Sequence, residues 1–158
     1  MLPPQLTQYL HAQIPLSRAM AVSVQSIDAE AVTLEAPLDP NINHRRTLFG
    51  GSASAVAMLA SWSLLHVRLR SEGIATRLVI QRNTMEYLQP IEGAFIARAI
   101  LQRPEGWQSF MALLLRKGRA RIGACATLEH NRRIAGRFSG EFVALGADPA
   151  PAGPEHDT

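Results

Sequence analysis

The apolar positions change their spacing along the chain. Leu6 and Leu10 stand at i and i+4 within residues 5–13, with Pro15 just beyond, which predicts a short opening helix and its stop. From Met20 the period falls to two. Met20, Val22 and Val24 alternate with small or polar neighbours, and Val32, Leu34 and Ala36 do the same after a turn at Asp28 to Glu30. Two antiparallel strands are expected there. Pro37 and Pro40 then end the second strand. In the stretch from about Gly51 to Ser71 the first half is Ala, Ser, Val, Met and Leu on every face, and arginines enter only after His66. This predicts a helix of about 30 Å, and a helix apolar all round must be wrapped by other structure. Gly73 offers its C-terminal stop.

Four strand-like segments follow: Thr76 to Leu88, Ala94 to Leu101, Trp107 to Lys117 and Ala120 to His130. The third is read from Trp107, Ser109, Met111, Leu113 and Leu115 on one face, the fourth from Ile122, Ala124, Ala126 and Leu128. Their separators, "QPIEG", "QRPEG" and "KGR", are short and rich in Gly or Pro, as between antiparallel neighbours. "GRFSGEFVAL" reads as a short edge segment, and residues 146–158 as a disordered tail. One α+β domain over residues 1–145 satisfies this order: about six antiparallel strands curved round one central apolar helix, the hotdog fold.

Composition narrows the setting. With 47% hydrophobic and 18% charged residues the chain is globular and can bury a core of useful size. A single cysteine, Cys125, cannot form an internal disulfide, which fits a reducing cytoplasm. It reads as a small buried hydrophobe. There is no signal-like N-terminus, and the longest apolar run is shorter than the ~20 residues of a membrane span. The net charge is +3 and the pI near 9.7. Arg45, Arg46, Arg119, Arg121, Arg132 and Arg133 either reflect base composition or form a rim for an anionic partner. Nucleic acid is not expected, because no zinc spacing, helix-turn-helix pattern or aromatic RNA-binding motif is present. The scattered histidines have no metal-ligand spacing, so no metal is expected.

The candidate chemistry lies in "NINHRRTLFGGSASAVAMLASW", residues 41–62. Backbone N–H groups gather at the start of a helix, at the positive end of its dipole. Gly50 and Gly51 remove side chains there, so a ligand carbonyl can approach the amides of Gly51 and Ser52. Negative charge developing on its oxygen would meet preset donors. The plainer alternative is that the glycines only let the helix pack. Asn43 can supply a further donor, whereas Asn41 can be a turn former only; which of the two faces the ligand stays open.

"NINHRRTLFGGSASAVAMLASWSLL" with "MEYLQPIEG" after it resembles the YiiD C-terminal type of hotdog domain, over roughly residues 5–145. That resemblance implies an enzyme acting on acyl thioesters of coenzyme A or an acyl carrier protein, with phosphopantetheine as part of the substrate and no separate cofactor. Its members include thioesterases and malonyl-carrier-protein decarboxylases. By that likeness Asn43, Thr47, Gly50, Gly51 and Ser52 match the active-site loop, with Asn43, Gly51, Ser52 and Thr47 as the catalytic residues. Asn41, Phe49 and Gly50 in the same loop, Val56 and Met58 as an apolar wall, and Arg119 and Arg121 from the basic rim are expected to bind the substrate. The likeness also implies a homodimer or a dimer of dimers, with Tyr87, Leu88 and Pro90 where a strand bends at the dimer edge. Phe49 and Met58 stand where many thioesterases of this fold carry His and an acidic residue, so the usual means of activating water is missing. Decarboxylation of a malonyl thioester needs no such base. His44 and Glu86 are lesser candidates for a base, Asn83 is a lesser candidate on the same strand as Glu86, and a non-catalytic acyl-binding protein is the remaining alternative.

Overall fold

The computed structural model describes residues 1–146. The chain opens with helix α1, Pro3–Gln13, and a one-turn helix α2, Pro15–Ala19. Pro15 therefore ends the first helix and begins a second that the apolar spacing does not reveal. Strands β1 (Ser23–Ile27) and β2 (Ala31–Ala36) form a hairpin. Asp28 Oδ1 accepts the N–H groups of Glu30 and Ala31, each at 2.9 Å, within its turn. The first strand is shorter than expected, because Ala21 takes a left-handed φ of 55° and leaves Met20 in the preceding turn. Helix α3, Gly50–Ser71, is followed by β3 (Arg77–Tyr87), β4 (Phe95–Leu101), helix α4 (Trp107–Lys117), β5 (Arg119–His130) and β6 (Arg133–Leu145).

The strands form one antiparallel sheet in the order β1-β2-β4-β5-β6-β3. Its concave face receives α3. Ala97, Ala99, Ala124 and Ala126, all buried, share the inner face of β4 and β5, with Ala99 directly opposite Ala126. Their short side chains make room for a wide helix, while Phe95, Phe138 and Phe142 fill the flanks. On α3, Val56, Ala57, Ala60, Leu64 and Leu65 are wholly buried. The turn after α3 closes at Gly73 (φ 72°), and Ile74 N–H bonds Leu69 O at 3.0 Å. Among the described residues no helix is long and apolar enough to cross a membrane.

Two segments differ from expectation. Trp107–Lys117 is a helix, not a strand: Trp107, Phe110, Met111 and Leu114 are buried at i, i+3, i+4 and i+7, whereas Leu115 is 70% exposed. It is pinned to the end of α3 by the Arg68 guanidinium, 4.4 Å from the Trp107 ring centre, and by the Trp107 indole N–H, 3.4 Å from Glu72. The segment read as a short edge is the 13-residue strand β6, which lies inside the sheet between β5 and β3. The edges are β1 and β3. Gly146 N–H is bonded to Gly118 O at 2.6 Å; the rest of the expected tail lies outside the described residues.

Candidate active site

The loop entering α3 is built by two asparagines. Asn41 is buried and donates its amide N–H groups to Met20 O and Pro37 O, each at 2.9 Å. It fastens the loop to the body, and Phe49 N–H bonds its carbonyl at 2.8 Å. Asn43 shapes the turn. Its Oδ1 accepts from Arg45 N–H (2.9 Å) and Thr47 N–H (3.1 Å), and its Nδ2 donates to Thr47 Oγ1 (2.9 Å) and Leu48 O (3.4 Å). Arg46 takes a left-handed φ of 62° in this turn, a position that costs a non-glycine residue strain. A bridge between Ile42 and Leu48 closes the turn, and Leu48 N–H bonds Ile91 O at 2.8 Å.

Phe49 is the N-cap of α3 and provides no side-chain cap. The first bond into the helix runs from Ala53 N–H to Phe49 O at 3.0 Å. The N–H groups of Gly50, Gly51 and Ser52 precede it, in the first turn where a helix has no internal acceptor. An aromatic ring lies against each glycine. A β-carbon on Gly50 would sit 3.4 Å from the Tyr87 ring, whose hydroxyl donates to Gly50 O at 3.1 Å, and one on Gly51 would run into the Phe49 ring. Both rings remain more than half exposed. Beside Gly50, though not lined by Gly51 or Ser52, is a cavity of 330 Å³ formed by Leu48, Gly50, Ala53, Tyr87, Leu88, Gln89, Pro90, Ile91, Leu128 and Ala135. No acid, imidazole or amine is in that lining.

A glycine pair thus opens the buried helix, and a tyrosine–leucine–x–proline segment packs against it. The model of the family described as "Putative thioesterase (yiiD_Cterm)" matches residues 4–146. The chain belongs to this family. The YiiD C-terminal fold is shared with solved structures of comparable length. A protein of unknown function from Chlorobaculum tepidum is 29% identical with a TM-score of 0.84, over 92% of this chain and 98% of that one. A putative thioesterase from Shewanella oneidensis is 23% identical with a TM-score of 0.80, over 90% and 96%. A probable thioesterase from Pseudomonas aeruginosa is 17% identical with a TM-score of 0.78, over 92% and 97%. At those last two identities the likeness shows the hotdog fold alone.

Within this YiiD C-terminal domain the sequence candidates separate into groups. Asn43, Thr47, Phe49, Gly50, Gly51 and Ser52 come together at the start of α3. Both N–H groups of the Asn43 amide are spent inside the loop, however, so in this arrangement Asn43 shapes the site rather than donating to a ligand. Asn41 is an anchor, 2% exposed, and does not face the cavity. Val56 points wholly into the core, whereas Met58, two residues on and on another side of α3, is half-buried. His44 is exposed at the loop tip.

The strand candidates fall elsewhere. Glu86 pairs with Arg137 in register, one residue out of phase with Met85 and Phe138; successive residues face opposite sides, so Glu86 lies on the outer face, away from α3. Asn83 pairs with Gly140 on the inner face, but four residues, ~13 Å, from Tyr87. Arg119 and Arg121 are exposed on the outer face at the far end of β5, paired with Leu145 and Val143. They cannot belong to a rim around the glycines. Cys125 is half-buried on that same outer face rather than in the core. Among the described residues no group of His, Cys, Asp or Glu gathers as a metal would require. A larger hollow of 470 Å³, lined in part by Glu35, Glu129 and Arg132, lies over β2, β4 and β5 without the glycine pair.

Tyr87 and Gln89 were not singled out for chemistry by the sequence, yet both line the cavity. Their signal is the Tyr–Leu–Gln–Pro run where a strand stops alternating. One titrating group lies apart. His66 packs against both Tyr9 and Trp62, its ring centre 4.7 Å from each, and those two rings are themselves 6.5 Å apart. Burial, with Arg70 adding to it, pushes its pKa down to about 4.

Proposed function

We propose that this protein binds an acyl thioester with the carbonyl oxygen at the Gly51 and Ser52 N–H groups, and that its reaction is decarboxylation of a malonyl thioester. The C–C bond to the carboxylate breaks, CO2 leaves, and the electron pair becomes the enolate of the thioester. A proton from solvent on the α-carbon then gives the acetyl thioester, a primer for fatty-acid synthesis. The charge to be stabilised rests on the thioester oxygen, and a well-placed donor there is worth about 3 kcal/mol. The observation that carries this reading is the cavity lining beside Gly50, which has no acid, imidazole or amine to deprotonate a water. Asn43 and Thr47 hold the loop in shape, and Met58 adds an apolar wall further along α3.

Hydrolysis of the thioester is the second reading, favoured by the family description and by the names of the Shewanella and Pseudomonas proteins. The substrate is carried on phosphopantetheine, as coenzyme A or an acyl carrier protein. Arg45 and Arg46, exposed beside the site, suit its phosphate or an acidic carrier. We further propose a cytoplasmic homodimer joined along β3, a sheet edge of 11 residues. Exposed Val79 on that strand, with Tyr87 and Leu88 at its end, suits burial against a second copy.

The deciding experiment is mass spectrometry of malonyl-carrier protein, malonyl-CoA and longer acyl thioesters after incubation with the protein. Acetyl thioester from the malonyl substrates is expected, at a rate at least about tenfold lower in Asn43→Ala through the lost loop bonds. Free thiol in place of acetyl thioester would establish hydrolysis.

A further inference from the structure

We propose that Tyr87 is a positioning residue for the thioester site, acting through the Gly50–Gly51 peptide; the inference rests on the reading of Gly51 N–H as a donor to the substrate oxygen. The peptide unit is planar, so the carbonyl of Gly50 and the N–H of Gly51 turn together. The Tyr87 hydroxyl donates to that carbonyl at 3.1 Å. The other end of the same plane is the Gly51 N–H, which lies in the first turn without a helical acceptor. A hydrogen bond accepted at a carbonyl also polarises its peptide and strengthens the N–H as a donor. The helix already orients this peptide, since Gly50 is the first residue of α3; Tyr87 therefore steadies that direction and strengthens the donor that the substrate oxygen would meet.

The surroundings keep the tyrosine fixed. It is the last residue of β3 and pairs with Gly136. The next two N–H groups, of Leu88 and Gln89, both bond Ala135 O, at 2.9 and 3.2 Å. Gly50 has no side chain to keep the ring away, and its ring carbons come within 3.4 Å of where a β-carbon would be. Yet the side chain is 59% exposed. The open face of the ring is the one offered to the second copy proposed above, while its hydroxyl is turned to the start of α3. Leu48 N–H to Ile91 O, at 2.8 Å, ties the loop to the same segment, so strand end, cavity wall and glycine pair form one assembly.

Tyr87→Phe removes only the hydroxyl. We expect kcat for CO2 release from malonyl-CoA to fall about 5- to 20-fold, less than for outright loss of a donor, with KM within about twofold and Tm unchanged. In ¹H–¹⁵N spectra of the full chain, the Gly51 amide is expected to shift more than amides elsewhere. A staple that only joined strand to helix would lower Tm and leave kcat alone, and Tyr87→Leu, which removes the ring as well, supplies that comparison. Unchanged kcat, or an unmoved Gly51 resonance, with an active wild-type protein overturns the role of Tyr87 while the thioester reading stands. A wild-type protein inert toward malonyl-CoA, malonyl-carrier protein and longer acyl thioesters overturns the reading and this inference together.

Discussion

Gly51 has a ring where its β-carbon would be, and that fact sets apart two reasons for a glycine. If Gly51 served only close helix packing, adding a methyl group would press on backbone or core. It presses instead on the far end of Phe49, which is 55% exposed and free to swing away. Gly51→Ala is therefore expected to leave stability unchanged or raise it by up to about 1 kcal/mol through helix propensity, while turnover falls because Phe49 is displaced over the helix start. Chemical denaturation and a kinetic assay on the one variant check both halves. At this scale the polar loop before α3 is legible in the sequence, but the part Asn43 plays in its turn is not. An asparagine that folds a turn and one that donates to a ligand stand in the same polar context, and only the four partners of its amide tell them apart. Glu86 was misassigned for a different reason. A strand gives each residue one of two faces, and the bulge between Ile80 and Arg82 interrupts the count by which the face would be read.

Among the elements, α3 and the strands β2 to β5 were legible because their apolar periods are unambiguous. Helix α4 was not. "WQSFMALLLRK" satisfies period two at Trp107, Met111 and Leu113, and period 3.6 at Trp107, Phe110, Met111 and Leu114. Leu114→Ala is expected to cost about 2–4 kcal/mol, and Leu115→Gln no more than about 0.5 kcal/mol; equal costs in urea melts would restore the strand. In β6, read as a short edge segment, Gly136 and Gly140 lie within the strand. They admit the Met85 methyl group and the rings of Phe138 and Phe142, 2.8–2.9 Å from where their β-carbons would be, a close-approach use of glycine inside a strand. The seam of α1 with α3 titrates. His66 is held neutral in the fold down to about pH 4, whereas in the unfolded chain it takes a proton near 6.5. Protons therefore favour the unfolded state, and stability is expected to fall as pH drops from about 6.5 toward 4. His66→Phe keeps the stack on Tyr9 and Trp62 and removes the titration, so its urea midpoints at pH 4.5 and 7.5 should lie closer together than those of the wild type.

For the molecule as a whole, the sheet ends on β3, and this is the strand whose last residue grips Gly50. The homodimer proposed along that edge is checked by light scattering, which should return twice 17.3 kDa, and by Val79→Lys, which should shift the mass toward one chain. The hotdog topology was legible from the order of elements, whereas the free edge was not: the residues of an edge strand and of an inner strand differ mainly in what covers them. The grip on Gly50 then has a kinetic consequence. If a second copy steadies β3, it also steadies Tyr87, and the rate per molecule becomes a function of how many molecules are present. Specific activity should decline on dilution, along the same concentration curve as the mass, and recover on reconcentration.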